Sequence, residues 1–267
     1  MKVNTDSLVL GSWAEPRPTS GGMQRILDIG TGSGILALMM AQKAQLLSPK
    51  RTENSGDEPQ SSENQKTEYQ TSIIIDAIEI DESAAKQAAS NFKNAKWANQ
   101  LFIYHCDVCA FMPPHQYKLI ISNPPYFDSP TKKSNAYNAQ THARNVARQT
   151  STLDPAGLLK ASYTLLESQG DLYCVYPFSM ESTVCQTAAS EGFALEKLLY
   201  VRHTPDKQPY LCAFHFRKVT SDIKTVTQDS NALSSMAASK KTLTIRNAQG
   251  EYTCEYKALC QPFYLKF

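Results

Sequence analysis

The chain has 267 residues, 42% of them apolar, which is enough for one large α/β domain or two small ones. Its net charge is only +2, so any binding of nucleic acid must depend on a local group of basic residues. The apolar runs are too short for a transmembrane helix, and the polar N-terminus does not resemble a secretory signal. The number of cysteines is odd, seven, which favours a reducing cytoplasmic compartment over a disulfide framework.

Strand-like and helix-like segments alternate from Arg25 onward. The predicted strands are, in chain order, "RILDIG", "SIIIDAIEI", "LFIYH", "YKLIIS" and "GDLYCVYP". The predicted helices are "GILALMMAQKAQL", "ESAAKQAASNFKNAK", "PAGLLKASYTLLES" and "MESTVCQTAASEG". Two last strands, "LEKLLYVRH" and "YLCAFHFRK", flank the turn "TPDKQ" and predict an antiparallel hairpin at an edge of the sheet. The order predicts a doubly wound α/β fold with a mostly parallel sheet and an antiparallel terminal hairpin.

Three local features fit a single domain spanning residues 1–267. Residues 48–71 contain almost no apolar side chain, and residues 219–240 are nearly as polar, so both predict surface insertions. Cys106 and Cys109 have the CxxC spacing, but no second CxxC or histidine pair accompanies them. We therefore expect no metal and no redox site.

A glycine loop places Asp28, Gly30, Gly32 and Gly34 where the first strand turns into the first helix, in "LDIGTGSGILAL". Glycines let the backbone approach a ligand closely, and the helix N-terminus offers free N–H groups to an anionic moiety. The loop alone leaves NAD open, because Gly32, Gly34 and Ala37 also match a dinucleotide-binding GxGxxA pattern in a shifted register.

Acidic residues after the strands favour S-adenosylmethionine. Glu79 ends the second strand, shortly before Asp81, and can accept hydrogen bonds from both ribose hydroxyls of either cofactor. Asp28 would repel a pyrophosphate but attract the ammonium group of a methionine moiety. Asp107 follows the third strand, where it could accept a hydrogen bond from an adenine amine. Helix capping or loop solvation is the alternative role of Asp28 and Asp107.

The fourth strand ends in "LIISNPPYF", Leu119–Phe127. Proline lacks the N–H group that a central strand needs, so the strand must end at about Asn123, on the edge where open α/β sheets bind ligands. Pro124 holds Asn123 extended and Pro125 adds no donor, which fixes the direction of the carbonyl groups. We predict that Asn123 accepts a hydrogen bond from an exocyclic amine during methyl transfer, while Tyr126 stacks on a flipped base. A proline-rich turn is the alternative, but a dehydrogenase has no use for this motif, which disfavours NAD.

With these residues the chain resembles the Rossmann-like class I S-adenosylmethionine-dependent methyltransferases with an NPPY motif, which act on adenine N6, guanine N2 or glutamine amide nitrogen. It is similar in particular to the bacterial family that methylates N6 of the adenine beside the anticodon of a valine tRNA. The segments that carry this resemblance are "MKVNTDSLVLGSWA", "LDIGTGSGILALMMAQ", "LIISNPPYF" and "YKALCQPFYLKF", of which the two terminal ones are the specific ones. Members of that family usually carry a further stretch upstream of "MKV", where this chain begins, so the resemblance implies cofactor binding more directly than substrate binding.

The resemblance implies S-adenosylmethionine as the cofactor and tRNA as the substrate. It implies cofactor contacts for Asp28, Gly30, Gly32, Glu79 and Asp107, and an amine-holding role beside the cofactor for Asn123. We expect a monomer without a metal or a membrane partner. A ribosomal RNA base or a protein glutamine is the alternative substrate of an NPPY enzyme. A non-catalytic binding protein is disfavoured, because it has no need to keep both the glycine loop and NPPY.

Basic residues follow the motif directly. Residues 129–153 contain no acid, and the four positive charges there belong to Lys132, Lys133, Arg144 and Arg148. At the mouth of the pocket they would contact phosphates beside the flipped base. A solvated loop is the alternative, and Arg202, His203 and Lys207 then offer a different path for RNA.

Overall fold

The computed structural model describes residues 4–17, 23–47, 72–125, 153–219 and 238–264. The helices of these ranges are α1 (Thr5–Trp13), α2 (Ile35–Leu47), α3 (Glu82–Lys93), α4 (Pro155–Leu165), α5 (Glu181–Glu191) and α6 (Cys254–Cys260). The strands are β1 (Met23–Ile29), β2 (Ser72–Glu79), β3 (Leu101–His105), β4 (Tyr117–Ser122), β5 (Leu166–Pro177), β6 (Phe193–Arg202), β7 (Leu211–Lys218) and β8 (Ser239–Thr244). No helix in the described ranges is long and apolar enough to cross a membrane.

The eight strands form one sheet in the order β3-β2-β1-β4-β5-β7-β6-β8. β7 runs antiparallel to β5 and β6, and the other described pairs are parallel. Every strand except β7 therefore ends at the same side of the sheet, which we call the carboxyl edge. The chain order reverses between β1 and β4, and this reversal is the place where doubly wound sheets bind ligands.

The predicted parallel sheet and the antiparallel hairpin β6–β7 are confirmed, but the hairpin does not form the edge. β7 lies between β5 and β6, and β8, which the sequence did not predict, pairs with β6 outside it. The burial of the strands explains this order. The first six residues of β7 are all buried, as an interior strand requires, whereas the first four residues of β8 are exposed and include two lysines.

The junction between α4 and β5 also differs from the prediction. The predicted helix continues to Ser168, but α4 ends at Leu165 and β5 begins at once with Leu166, which pairs with Tyr117. The register then shifts before Leu119, and Gln169 within the irregular stretch has a positive φ of 60°. A β-bulge bends its strand locally, and here the helix passes directly into the bent strand without a connecting loop.

Buried apolar residues form one cluster on each face of the sheet. The first cluster is covered by α1, α2, α3 and α6, and the second by α4 and α5. Residues 48–71 and 220–237, which cover most of the two predicted insertions, lie outside the described residues.

The first and last described segments pack against α2. The Lys43 ammonium donates to the carbonyl oxygens of Ser12 (2.6 Å) and Ala14 (2.5 Å), which belong to the end of α1. The neighbouring Gln42 donates to the Pro262 carbonyl at 2.6 Å. Burial lowers the pKa of Lys43 to about 8. A cation at the last carbonyl groups of a helix stabilises that end, so Lys43 holds the end of α1 against α2 on one face of the sheet.

Candidate active site

The ends of β1 and β4 bring the glycine loop and NPPY together. Ile29 pairs with Ile78 on one side and with Ser122 on the other. The Ser122 hydroxyl donates to the Ile29 carbonyl at 2.8 Å and ties the two strand ends. Adjacent strands are about 4.8 Å apart, so the residues that follow Ile29 and Ser122, Gly30 and Asn123, begin side by side at the switch point.

The three glycines of the loop all have positive φ, at 70° for Gly30, 57° for Gly32 and 85° for Gly34. They differ in what a side chain would meet. A Cβ on Gly34 would lie 2.4 Å from the Phe92 ring of α3, so this glycine allows α2 to pack. A Cβ on Gly30 would meet nothing within 4 Å. Gly30 therefore faces open space at the carboxyl edge, where a ligand can approach the backbone.

Glu79 fastens the glycine loop to the end of β2. Its Oε2 accepts from the Gly32 N–H at 2.8 Å, and its Oε1 accepts from the Asp81 N–H at 2.9 Å. The residue is 8% exposed. A carboxylate can accept about four hydrogen bonds, so both oxygens keep capacity for a ligand. The predicted ribose acceptor is thus also a structural brace, which the sequence did not indicate.

Asp28 is fully buried beneath the glycine loop. Its Oδ2 accepts from the Thr31 hydroxyl at 2.5 Å and from the Ala37 N–H in the first turn of α2 at 3.0 Å. Its Oδ1 has no hydrogen-bond partner among the described residues. Burial raises the pKa of Asp28 to about 7, against the opposing effect of these two hydrogen bonds. An unsatisfied buried acceptor is costly, and a cationic group of a ligand would relieve the cost.

Asp107 and Ile80 lie beyond the ends of β3 and β2. The exposed Asp107 accepts from the Cys109 N–H at 2.9 Å and so begins a short 3₁₀ turn, which is the capping role that the sequence left open. The Cys106 N–H donates to the Glu79 carbonyl and keeps the two strand ends adjacent. Ile80 is apolar yet 47% exposed. An exposed apolar side chain can cover the face of a heterocyclic base while a nearby carboxylate accepts from its edge. Ile80 was not among the site residues predicted from the sequence, although its position directly after Glu79 could have indicated it.

Asn123 is half-buried, and its side-chain amide contacts the first helix. Asn123 Nδ2 donates to the Ser7 hydroxyl at 2.8 Å, so Oδ1 remains as the acceptor. Pro124 is buried and Pro125 is exposed. The contact with Ser7 could not be inferred from the pattern, because the two residues are 116 positions apart.

Tyr126, Lys132, Lys133, Arg144 and Arg148 lie outside the described residues. Within the described ranges no group of three or more His, Cys, Asp or Glu side chains is arranged to hold a metal. Burial, followed by the charge of Asp107, raises the thiol pKa of both Cys106 and Cys109, which disfavours the reactive thiolate.

Comparisons with known proteins agree with this fold. A protein-family model described as "RMKL-like, methyltransferase domain" matches residues 21–152. A solved structure of a predicted O-methyltransferase from Agrobacterium tumefaciens has a TM-score of 0.55 and 14% identity, and the match covers 97% of this chain and 96% of that one. The fold is therefore the Rossmann-like fold of the class I methyltransferases.

Two curated relatives narrow this class to a family. A tRNA1(Val) (adenine(37)-N6)-methyltransferase from Pseudoalteromonas atlantica is 37% identical over 279 residues, a match that covers 100% of this chain and 93% of the relative. Another protein of that name, from Tolumonas auensis, is 33% identical over 266 residues, with 100% and 91% covered. The chain belongs to the family of tRNA1(Val) (adenine(37)-N6)-methyltransferases.

Proposed function

We propose that this protein transfers a methyl group from S-adenosylmethionine to the N6 amine of adenine 37 in a valine tRNA, the reaction for which its relatives are named. The observation that carries the proposal is the position of Asn123. Its side-chain carbonyl accepts no hydrogen bond from a described residue, it lies near the end of β1 at the switch point of the sheet, and its Nδ2 donates to Ser7. The amine that receives the methyl group and the cofactor would have to meet at this point.

The residues at the carboxyl edge fit the cofactor. Asp28 Oδ1, which has no hydrogen-bond partner in the described part of the chain, would supply a buried negative site for the ammonium group, and the open space at Gly30 would admit the methionine moiety. Glu79 retains acceptor capacity for the ribose hydroxyls, and Ile80 supplies an apolar contact for the adenine face. Asp107 is the candidate acceptor for the adenine amine. When bound, S-adenosylmethionine supplies a methyl group made electrophilic by a positively charged sulfur.

The chain's own contribution is positioning and electrostatics. The lone pair of an adenine N6 amine is delocalised into the ring, so the amine is a poor nucleophile. Asn123 Oδ1 would accept a hydrogen bond from the N6 amine and so favour a pyramidal nitrogen whose lone pair is free to react. Pro124 and Pro125 contribute no N–H donors, so the carbonyl group of Asn123 is also available for a second N6 proton. Tyr126 would hold the flipped base by stacking.

The remaining expectations belong to the same proposal. We propose that residues 1–267 form a single methyltransferase domain that acts as a monomer in the cytoplasm. All seven cysteines are free, which suits a reducing compartment. Lys132, Lys133, Arg144 and Arg148 remain candidate contacts for the RNA.

The test is transfer of labelled methyl groups to an unmodified transcript of a valine tRNA, followed by digestion and identification of the nucleoside. We expect N6-methyladenosine, and no label in a transcript with guanosine at position 37. Label found in ribosomal RNA or on a protein glutamine, and not in the tRNA, would favour the alternative substrates. Cofactor binding without transfer to any of these substrates would indicate a binding protein.

A further inference from the structure

Two loops meet at the carboxyl edge beyond β6 and β8, on the side of the sheet away from Glu79. The Ile245 N–H donates to the Arg202 carbonyl at 3.0 Å, and the Arg246 N–H donates to the His203 carbonyl at 2.9 Å. These bonds continue the pairing of β6 with β8 past the strand ends. We call Arg202, His203 and Arg246 the His203 surface.

Both arginines of the His203 surface are held by neutral groups. Arg202 donates through Nε to the Thr244 hydroxyl at 2.8 Å and through Nη1 to the Pro205 carbonyl at 3.0 Å. The exposed Arg246 lies over the Tyr252 ring, 4.1 Å from its centroid, and donates to the Gly250 carbonyl at 2.6 Å. These contacts fix the two guanidinium groups without neutralising them, which prepares them for phosphate oxygens.

The charged neighbours do not cancel this arrangement. Lys207 forms an ion pair with Asp206 at 3.6 Å, so neither contributes net charge to the edge. Glu251 accepts from the Asn247 side chain at 3.3 Å and is the other carboxylate of these loops. The net charge is small, and recognition would depend on two placed guanidinium groups more than on a broad positive field.

His203 adds an aromatic platform. Its ring stacks on Tyr210 with 4.2 Å between the ring centroids and 1° between the planes. His203 is exposed and Tyr210 is half-buried, so one ring face is fixed on the protein while the other is accessible. A held ring with a free face is a stacking site for an unpaired base.

A chain of contacts joins this platform to Asn123. The Tyr210 hydroxyl donates to Asp6 Oδ1 at 3.0 Å, and Asp6 is followed by Ser7, which accepts from Asn123. β4 and β6 are separated by three strand spacings of about 4.8 Å, or roughly 14 Å. That distance is a few nucleotides of an RNA loop, so one loop can reach both places.

We propose that the His203 surface binds the single-stranded RNA next to the target adenine: His203 stacks on a neighbouring base, and Arg202 and Arg246 contact phosphates. This inference rests on the proposed function, because it takes the RNA to be presented at Asn123. It adds an RNA contact that does not involve residues 126–152, which directly follow NPPY in the chain.

The test measures binding of a fluorescent anticodon stem-loop RNA by anisotropy across a salt series. His203→Ala should weaken binding by about fivefold or more, whereas His203→Phe, which keeps a ring, should bind close to wild type. Arg246→Gln should flatten the log–log salt dependence by about 0.7 to 1 unit. Lys93→Gln is the matched control, since it removes an exposed positive charge at the end of α3 and should change neither quantity.

Cofactor affinity and melting temperature should stay at wild-type values in all four variants. Suppose that the wild type methylates the tRNA but His203→Ala and Arg246→Gln bind RNA as Lys93→Gln does. The RNA-binding role of the His203 surface is then wrong, and the proposed function is unaffected. A wild-type protein that methylates no tRNA would overturn the proposed function. If RNA binding still required His203 and Arg246 in that case, the His203 surface would be an RNA-binding surface for a different substrate RNA.

Discussion

Ser7 and Asn123 are joined by a 2.8 Å hydrogen bond from the Asn123 amide to the Ser7 hydroxyl. Ser7 is itself held, because the Asn4 side chain accepts its N–H group at the start of α1. The Asn123 side chain donates through Nδ2 in this contact, which leaves its Oδ1 to accept from a substrate. The first helix of the chain therefore holds the side chain that the NPPY motif offers to a substrate.

Ser7→Ala should lower kcat by about 3- to 10-fold, because the amide of Asn123 loses the contact that orients it and a hydrogen bond of this kind contributes about 0.5–1.5 kcal/mol. Affinity for S-adenosylmethionine and the KM for tRNA should change little. Steady-state kinetics and calorimetry separate these quantities. Ser12→Ala removes a hydroxyl from the other end of α1 and is the matched control; an equal loss of kcat in both variants would indicate a general effect on the helix.

Asn123→Ala should reduce kcat by about 10²–10³, the usual effect of losing one transition-state hydrogen bond, with cofactor affinity within a few-fold of wild type. Single-turnover kinetics with saturating tRNA measures the chemical step directly. Turnover above half of the wild-type value would exclude the amine-holding role.

The sequence predicts the elements that position the cofactor better than those that position the substrate. β3 and β4 were predicted with the bounds that the structure has, since each is a short apolar run with clear breaks on both sides. α1 was not predicted as a helix. Six consecutive residues of the nine are buried, two serines among them, so the helix lacks the periodicity that marks an amphipathic one.

Contacts between distant segments explain the other differences. β8 is polar and becomes a strand because it pairs with β6, which no local pattern can indicate. The role of Glu79 as a brace depends on the N–H groups of Gly32 and Asp81, which depend on the path of the loop. Local chemistry identified the candidate residues of the site, while their orientation comes from tertiary partners such as Ser7.

Gly34→Ala and Gly30→Ala should separate packing from ligand access. Both place alanine at positive φ, which costs about 1–2 kcal/mol, but the new methyl group at position 34 also collides with Phe92. Gly34→Ala should therefore lower the melting temperature of the free protein by more than Gly30→Ala does. Gly30→Ala should instead lose cofactor affinity, because its methyl group occupies the open space at the carboxyl edge.

Thermal unfolding with and without S-adenosylmethionine measures both effects, and Phe92→Leu provides a second background. Gly34→Ala should be less damaging in that background, since a smaller side chain can yield to the new methyl group. Equal melting temperatures for the two glycine variants would contradict the assigned roles.

Glu79→Gln should weaken both the cofactor site and the fold. Glutamine has one carboxamide oxygen, so it cannot accept from both the Gly32 and the Asp81 N–H groups. One of these donors is then opposed by an NH₂ group, a change that costs about 1–3 kcal/mol. Glu82→Gln is the matched control, because Glu82 is exposed and pairs with Lys86 on α3. Lost affinity with an unchanged melting temperature would show that Glu79 contacts ligand without bracing the loop.

Asp28→Asn tests whether the buried carboxylate is kept for the cofactor at the expense of stability. Burial raises the pKa of Asp28 from 3.8 to about 7, so between these values the folded protein holds a proton that the unfolded chain releases. The free energy of unfolding of the wild type therefore falls as the pH rises through this interval, and above about pH 7 the full cost of the buried charge is present. Asparagine is neutral throughout and keeps one oxygen for Thr31 and Ala37. The variant should melt higher than the wild type at about pH 8, by about 2–4 °C for each kcal/mol, and the difference should shrink at about pH 5.

The affinity of the wild type for the cofactor should rise with pH, whereas its free energy of unfolding falls. In the wild type, affinity should increase between about pH 5.5 and 7.5, because an ammonium group binds the ionised form of Asp28 and displaces its proton. In Asp28→Asn the affinity should be low and nearly independent of pH over the same range. Asp206→Asn is the matched control, because that carboxylate is exposed, pairs with Lys207 and lies away from the cofactor residues. The contrary outcome is a wild-type affinity that calorimetry finds to be independent of pH, with a stability difference of the same size at both pH values. That result would mean that Asp28 is ionised in the free protein and only caps α2.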